Sequence, residues 1–406
     1  MADTKRNGKT RVAVIYPYIA HYRKAVCEEL MRSESLDAVF IAAEKSPASM
    51  GIKLWKCPDS ERFVLTTRYT VYLGKTPEGG FPRYVAWQTG LIRLAFRRDI
   101  DAFVYFGDVY TVSLWISIAI ARWRKKPVHI WTIGWLRDER GFKDRLRRFL
   151  FGLGDTLLLY GHFARKQAIK RGFAPERLHV VYNSLDYPRQ KKVRDSVAIE
   201  ELATIRSELF PYPERPLLTC CSRLQAHRRL DLMLDAAARL QDAGYACNVL
   251  LIGDGTEQDK LQRQAERLEV SVKFYGACYE EETLARLIMA SDVTVAPGMV
   301  GLTAMQSLAY GTPVITHGDF ERQAPEWEAV VPGETGAVFE CGDAESLANA
   351  IRAWLSKNPD REAVRKRCYD IIERYFNPRA QCEIIEQVIA GKPAVEDTYW
   401  LNRFRE

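Results

Sequence analysis

Histidine is scarce, with six among 406 residues, and no Cys-x-x-Cys pair or zinc-type spacing accompanies them. No structural or catalytic metal is therefore expected. The nine cysteines are odd in number and scattered, with only Cys220 and Cys221 close together, which reads as reduced and mostly buried thiols. A long hydrophobic run is also missing. The greasiest stretch, Val112 to Trp123, is too short to span a bilayer and reads as a buried helix. Nor is there a secretory signal: Met1 to Thr10 is polar and basic and runs into the strand-like Arg11-Val-Ala-Val-Ile-Tyr16. A cytoplasmic protein is expected. Helix-turn-helix, zinc-finger and RNA-binding aromatic signatures are lacking too. The net charge of +7 then points to nucleotide diphosphates or acidic lipids rather than nucleic acid.

What is present is alternation. Short β-rich runs trade places with helix-length amphipathic segments in both halves, the pattern of parallel α/β layers. In the first half the strands read as Val12–Tyr16, Ala38–Ile41, Ala102–Tyr105, Val128–Trp131, Thr156–Leu159 and His179–Tyr182. In the second they read as Pro216–Cys220, Asn248–Ile252, Val272–Tyr275, Val293–Ala296 and Pro313–Thr316. A break near Asp186 to Arg215 begins with charged Lys191, Lys192 and Arg194 and is punctuated by Pro211 and Pro213. The expectation is two Rossmann-like, doubly wound parallel-sheet domains, 1–187 and 188–377, facing a cleft, with 378–406 returning as a helix to the first.

Three segments of the second half sit where strands end. Ser222-Arg223-Leu224-Gln225-Ala226-His227-Arg228 follows one strand, and two arginines five apart can converge on one anion through bidentate hydrogen bonds. The same residues also fit a solvated basic loop. Gly253-Asp254-Gly255 follows the next strand and fits either a close backbone approach to a ligand or a plain tight turn. Pro297-Gly298-Met299-Val300-Gly301-Leu302-Thr303 opens a helix that ends at Gly311-Thr312-Pro313. Free N–H groups and the positive dipole end there suit a diphosphate, although an ordinary strand–loop–helix connection has the same look.

Together these segments resemble the second domain of retaining glycosyltransferases of family 4, whose two-domain fold is called GT-B. The family's Gly-Arg-Leu-x-x-x-Lys-Gly is similar to Ser222-Arg223-Leu224 with Arg228-Arg229, and its Gly-x-Gly to Gly253–Gly255. Its Val-x-Phe-x-Gly strand, which faces the base, matches Val272 to Gly276. Its Gly-Thr-Pro-Val matches Gly311 to Val314, and its Val-Ile-Pro-Asn-Gly-Val-Asp resembles Val180 to Asp186. The resemblance implies a nucleotide-diphosphate sugar donor, UDP- or GDP-linked, and no further cofactor. It implies that Arg223 and Arg228 clamp the diphosphate, and that Ser222, Gly253, Gly255, Phe274, Gly276, Gly298, Gly301, Leu302, Thr303 and Gln306 surround the donor. The family's Glu-x7-Glu pair falls on Gly298 and Gln306, neither acidic, which implies a divergent subgroup; Glu321 and Glu326 are candidate replacements.

Outside this domain, His21 and Arg23 follow the first strand and are expected either to touch acceptor or donor phosphate or to cap a helix. His162 and His317, each just past a strand, are weaker candidates of the same kind. From Leu136 to Leu153, Arg137, Arg140, Lys143, Arg145, Arg147 and Arg148 outnumber Asp138, Glu139 and Asp144, while Phe142, Leu146, Phe149, Leu150 and Leu153 share one helical face. This stripe suits an anionic membrane surface or the domain core. The implied activity is sugar transfer to a glycan or lipid-linked acceptor in surface polysaccharide or glycolipid synthesis. A sugar-nucleotide epimerase of similar fold and a catalytically degenerate sugar-nucleotide-binding partner protein are the alternatives.

Overall fold

The computed structural model describes residues 8–46, 53–57, 59–73, 84–138, 140–357, 360–395, 397 and 399–400. Residues 1–7, Glu139 and 401–406, on which parts of the expectations above fall, lie outside the described residues. The chain divides into two compact units, one formed by 1–186 with 378–406 and the other by 187–377.

The first unit holds β1 (Thr10–Ile15), β2 (Leu36–Ala43), β3 (Phe63–Thr66), β4 (Arg68–Tyr72), β5 (Tyr84–Gln88), β6 (Ala102–Phe106), β7 (Val128–Thr132), β8 (Thr156–Leu159) and β9 (Leu178–Val180). Seven of these form a parallel sheet in the order β3-β2-β1-β6-β7-β8-β9, and β4 pairs with β5 as a separate antiparallel hairpin. Successive side chains of a strand point to opposite faces, and β1 is apolar at both. Ala13 and Ile15 join a core with Phe103, Tyr105, Leu114 and Ile118, whereas Val12 and Val14 join another with Leu30, Phe40, Ile385 and Val388. The second core is closed by the Lys24–Arg32 and Pro378–Ile389 helices. The latter is fastened by Gln381, whose Nε2 donates to the Tyr182 carbonyl at 2.9 Å.

Two features of this unit depart from the sequence expectations. The β3 strand and the β4–β5 hairpin were not anticipated, and the hairpin shows the pairs Tyr69–Trp87 and Val71–Val85 to solvent. The Val112–Trp123 helix is not buried all round. Leu114, Ile118 and Ala121 enter the core, but Val112, Ile116 and Trp123 are 42%, 38% and 76% exposed. A helix apolar on every side gives no periodicity from which one exposed stripe could be read. Among the described residues no helix is long and apolar enough to cross a membrane.

The second unit holds β10 (Leu217–Cys221), β11 (Asn248–Ile252), β12 (Val272–Gly276), β13 (Val293–Ala296), β14 (Val314–His317) and β15 (Gly336–Phe339), all parallel in the order β12-β11-β10-β13-β14-β15. Its charged entry, expected as a break, is the Tyr187–Ser196 helix. Arg194 is buried there because its guanidinium stacks 3.8 Å from the Tyr369 ring centroid and donates to the Tyr187 hydroxyl.

Two histidines in the first sheet link the fold to pH. His129 on β7 and His179 on β9 are buried, and the Nε2 of each has no hydrogen-bond partner. Burial, the main cause, drives both down from 6.5 to about 4. Their folded-state affinity for protons is thus below that of the unfolded chain, so stability is full above about pH 6.5 and falls as pH drops toward 4. By pH 5, about 1.5 units below the unfolded value, each histidine accounts for up to roughly 2 kcal/mol, on the scale of ~1.4 kcal/mol per unit. Urea unfolding at pH 7.5 and pH 5 checks this: the difference should shrink in His129→Gln/His179→Gln, and an unchanged difference would assign it elsewhere.

Candidate functional site

In an open parallel sheet the strand order reverses at one point, and the loops there diverge to leave a crevice beyond the strand C-termini. That point lies between β10 and β13 in the second unit and between β1 and β6 in the first.

In the second unit the crevice is built by backbone meeting backbone. After β10 the chain passes Ser222 to Leu224 and enters the short helix Ala226–Arg228. The amide of Ser222 donates to Ile252 at 3.0 Å and that of Leu224 to Asp254 at 2.7 Å. A Cβ on Gly253 would overlap the Ser222 carbonyl, and one on Gly255 the Leu224 carbonyl. The two glycines therefore serve contact with the neighbouring loop, a packing role that neither the ligand-approach nor the plain-turn reading contained. On the other side the Gly298 amide donates to the Arg228 carbonyl at 3.0 Å, and a Cβ there would overlap the His227 carbonyl. Any side chain at 298 would meet the His227–Arg228 backbone in this packing, a glutamate included.

This interlock aims Arg228 at the loop before the Leu302–Ala309 helix. Its Nη1 donates to the Met299 carbonyl, and its Nε is buried without a partner. Burial, partly countered by Cys220 and Glu326, lowers its pKa, though an arginine remains charged. The helix begins at Gly301 (φ 52°, ψ −143°) with no side-chain cap, so its first amides are available to an anion. Thr303 ties this end to β10 by donating to the Cys221 carbonyl at 2.9 Å. Leu302 and Gln306 are half-buried on the same helix. Gln323, which sequence reasoning missed, accepts from the Val300 amide at 2.9 Å and donates to Thr316 and His317. Arg223 is exposed on its loop, and Ser222 is half-buried. Phe274, half-buried on the edge strand β12, and Gly276 lie next to the Gly253 turn, which Gly276 receives through its carbonyl at 2.8 Å.

The first unit has its own crevice, also missed. A cavity of about 280 Å³ lies at the C-terminal ends of β1, β6 and β7, lined by Tyr18, Tyr72, Tyr84, Tyr110, Arg147 and Phe151 among others. Asp108, directly after β6, organises it. Its carboxylate accepts from Arg68 at 2.7 Å, Thr111 at 2.8 Å and Tyr84 at 3.2 Å. Burial, and then the Asp108 charge, raises the Tyr84 pKa and keeps its hydroxyl protonated. An acid three positions past the end of the expected strand Ala102–Tyr105 was the available signal. Tyr72 and Tyr84 come from the hairpin, whose strands went unread, while Tyr18 and Tyr110 sit on the loops after β1 and β6.

The other candidates are held differently from expectation. Arg23 does not present its guanidinium to solvent: at 6% exposure it stacks 4.8 Å from the Tyr160 ring centroid and 5.6 Å from that of Trp131, and donates to the Tyr160 hydroxyl. His21 is exposed, with Nδ1 3.3 Å from the Lys53 carbonyl. His162 stacks on Trp400 and bonds the Tyr182 hydroxyl at 2.9 Å. His317 is buried, and its Nδ1 accepts from the Asp319 amide. Glu321 is exposed and Glu326 buried. A hollow of about 890 Å³ opens at the N-terminal edge of the second sheet, where Arg206 and Arg361 pair with Asp292. It is opposite the switch point and is taken as structural.

The two parallel-sheet α/β units are the fold of the GT-B glycosyltransferases. Over 94% of its length the chain superposes on HepE of Anabaena in complex with UDP (TM-score 0.65, 15% identity, 100% of that chain). It superposes equally on the lipopolysaccharide outer core galactosyltransferase WaaB (TM-score 0.65, 13% identity, 99% of that chain). The chain matches the family model of glycosyl transferases group 1 over residues 203–370. It is similar to a GDP-mannose-dependent alpha-(1-6)-phosphatidylinositol dimannoside mannosyltransferase of Mycobacterium tuberculosis, 32% identical over 161 residues, 38% of this chain and 39% of that protein. It is also similar to the lipopolysaccharide core biosynthesis glycosyltransferase LpsE of Rhizobium meliloti, 28% identical over 195 residues, 47% of this chain and 55% of that protein. The chain thus covers only about two-fifths to one-half of these relatives' lengths.

The interlock makes a direct prediction. Gly298→Ala should cost about 1–3 kcal/mol, the range for overpacking, because the His227–Arg228 backbone must move. Thermal unfolding checks it, and a midpoint equal to that of the parent protein would show that the contact can yield.

Proposed function

We propose that the protein is a glycosyltransferase that moves a hexose from a nucleotide-diphosphate sugar to a lipid-linked or glycan acceptor, with retention and without a metal. The observation that carries the reading is Arg228, held by the glycine interlock beside the uncapped start of the Leu302–Ala309 helix at the switch point of the second sheet. A diphosphate placed there accepts hydrogen bonds from the amides of Gly301, Leu302 and Thr303 and from Arg228, while Arg223 reaches it from the loop. The chemical demand is charge building on the departing diphosphate, and fixed donors already aimed at it lower the barrier. The leaving phosphate oxygen takes the acceptor proton on the same face as the new bond, so no separate carboxylate base is required. The base rests near Phe274 and Gly276. Gln306 accepts a ribose hydroxyl in place of a glutamate, a weaker bond than an ionised acceptor would make.

The acceptor is assigned to the tyrosine-lined cavity of the first unit, whose rings offer flat apolar faces to a sugar and whose hydroxyls offer hydrogen bonds. His21 is exposed on the loop after β1 and is a candidate contact for the acceptor, whereas Arg23 positions that loop from within. A lipid-linked acceptor is supported by the phosphatidylinositol mannoside and lipopolysaccharide relatives, and a cytoplasmic, membrane-peripheral location is proposed with it.

Thermal unfolding with UDP, GDP, ADP and CDP tests the donor site. Saturation to about 100 times Kd adds roughly 2.7 kcal/mol, a shift of several degrees, with one base preferred. Arg228→Ala should remove a charge-assisted bond worth about 1.5–3 kcal/mol and lower affinity and kcat/KM by about 10- to 100-fold. Glycosylated lipid formed from the matching sugar nucleotide is the expected product. No shift with any nucleotide, or an epimerised sugar nucleotide as product, would overturn the reading.

A further inference from the structure

The Phe142–Gly152 helix of the first unit borders a hollow of about 410 Å³ lined by Arg145, Arg148, Arg171 and Arg177, with Phe149 and Phe173 between them and no acidic residue in its wall. Two of the arginines are engaged: Arg171 pairs with Asp144 at 3.0 Å and Asp138 at 3.2 Å, and Arg177 donates to the Asp155 carbonyl at 2.9 Å. Arg145 and Arg148 are exposed and have no carboxylate partner among the described residues. The sequence expectation for this helix offered membrane or core as the place of its apolar stripe, and the structure splits the stripe. Leu150 is buried, whereas Phe142 and Phe149 are 79% and 65% exposed.

Phe149 stacks on Trp115 (5.9 Å, 15°), which joins this helix to Val112–Trp123. There the exposed apolar positions Val112, Ile116, Ala119 and Trp123 recur at helical spacing, so they form one stripe beside Trp115. Large apolar side chains grouped in water mark an interaction surface. Its rim is basic. A second copy of the chain packed across a two-fold axis would set one group of arginines against the other, a like-charge contact that costs several kcal/mol. An anionic bilayer satisfies both components, because its phosphates accept from arginine while the rings sink to the headgroup–acyl boundary.

We propose that this face docks on an anionic phospholipid bilayer, with a lipid phosphate in the Arg145/Arg148 hollow and Phe142, Phe149 and Trp123 at the acyl boundary. The proposal deepens the lipid-acceptor reading but does not depend on catalysis. Arg147 and Phe151, on the opposite face of the same helix, line the tyrosine cavity, so the helix separates that cavity from the docked face.

The test is co-sedimentation of the full chain with vesicles of phosphatidylcholine alone and of phosphatidylcholine mixed with phosphatidylglycerol. Binding to the mixed vesicles at low salt and release at high salt are expected. Arg145→Glu/Arg148→Glu should weaken binding at least about tenfold, given roughly 1 kcal/mol per basic residue near the surface. Trp123→Ala/Phe142→Ala should weaken it severalfold. All four positions are exposed, so unfolding midpoints should stay near that of the parent protein; if the charge reversal fails to fold, Arg145→Gln/Arg148→Gln replaces it. Absence of binding at low salt, or binding equal in every variant, overturns the proposal. So does inorganic phosphate stabilising the protein while vesicles do not bind, or a dimer that Phe142→Glu dissociates. The nucleotide-induced shift is read separately, so failure here leaves the donor site standing.

Discussion

Close packing of backbone on backbone around Ser222 to Arg228 is the constraint from which the second unit's chemistry follows. Gly253, Gly255 and Gly298 each occupy a position where a Cβ would overlap a carbonyl of that loop. With side chains removed, the loop is fastened by amide–carbonyl bonds on both flanks, from Leu224 to Asp254 on one and from Gly298 to Arg228 on the other. Backbone contacts have little rotameric freedom, so they fix position better than long side chains could. Arg228 is thereby held beside a helix start whose amides are uncapped. A charge so confined, with Nε buried and unpaired, is poised for an anion rather than for water.

The first unit uses a different device. Its β1 loop is anchored by Arg23, a buried cation that stacks on aromatic rings in place of pairing with a carboxylate. The same loop gives Pro17 and Tyr18 to the cavity at the sheet's switch point. Asp108 and Arg68, a buried pair at 2.7 Å, fix the hairpin to the end of β6 and so bring Tyr72 and Tyr84 to the cavity wall. Breaking either partner would leave a buried charge alone, so the pair serves geometry more than stability.

Much of this was legible in the residues. The strands at Asn248–Ile252, Val293–Ala296 and Thr156–Leu159 follow from short, mostly apolar runs, and Asn248–Ile252 and Val293–Ala296 end at the Gly-Asp-Gly turn and the glycine-containing loop read as site elements. The β4–β5 hairpin was not legible because eleven residues separate its last paired positions, Tyr72 and Tyr84, and its outer face is apolar where alternation should give polar residues. The Tyr187–Ser196 helix was hidden by its charge, which is neutralised by stacking on Tyr369 and pairing with Glu373. For Gly298, the sequence offered a place in a helix-opening loop, and only the packing shows the His227–Arg228 backbone against it. Arg23 was misplaced for a related reason: a charged residue after a strand suggests an open loop, and nothing local announces an aromatic cage.

The central claim is that the loops after β10 and β13 hold a nucleotide diphosphate. Amide hydrogen exchange of the full chain, with and without the nucleotide that stabilises it, tests this most directly. The account predicts slower exchange in 222–229 and 298–304, strongest at Gly301 to Thr303, with the N-terminal edge of the second sheet unchanged. Protection confined to the Arg206–Asp292 hollow or to the first unit would contradict it.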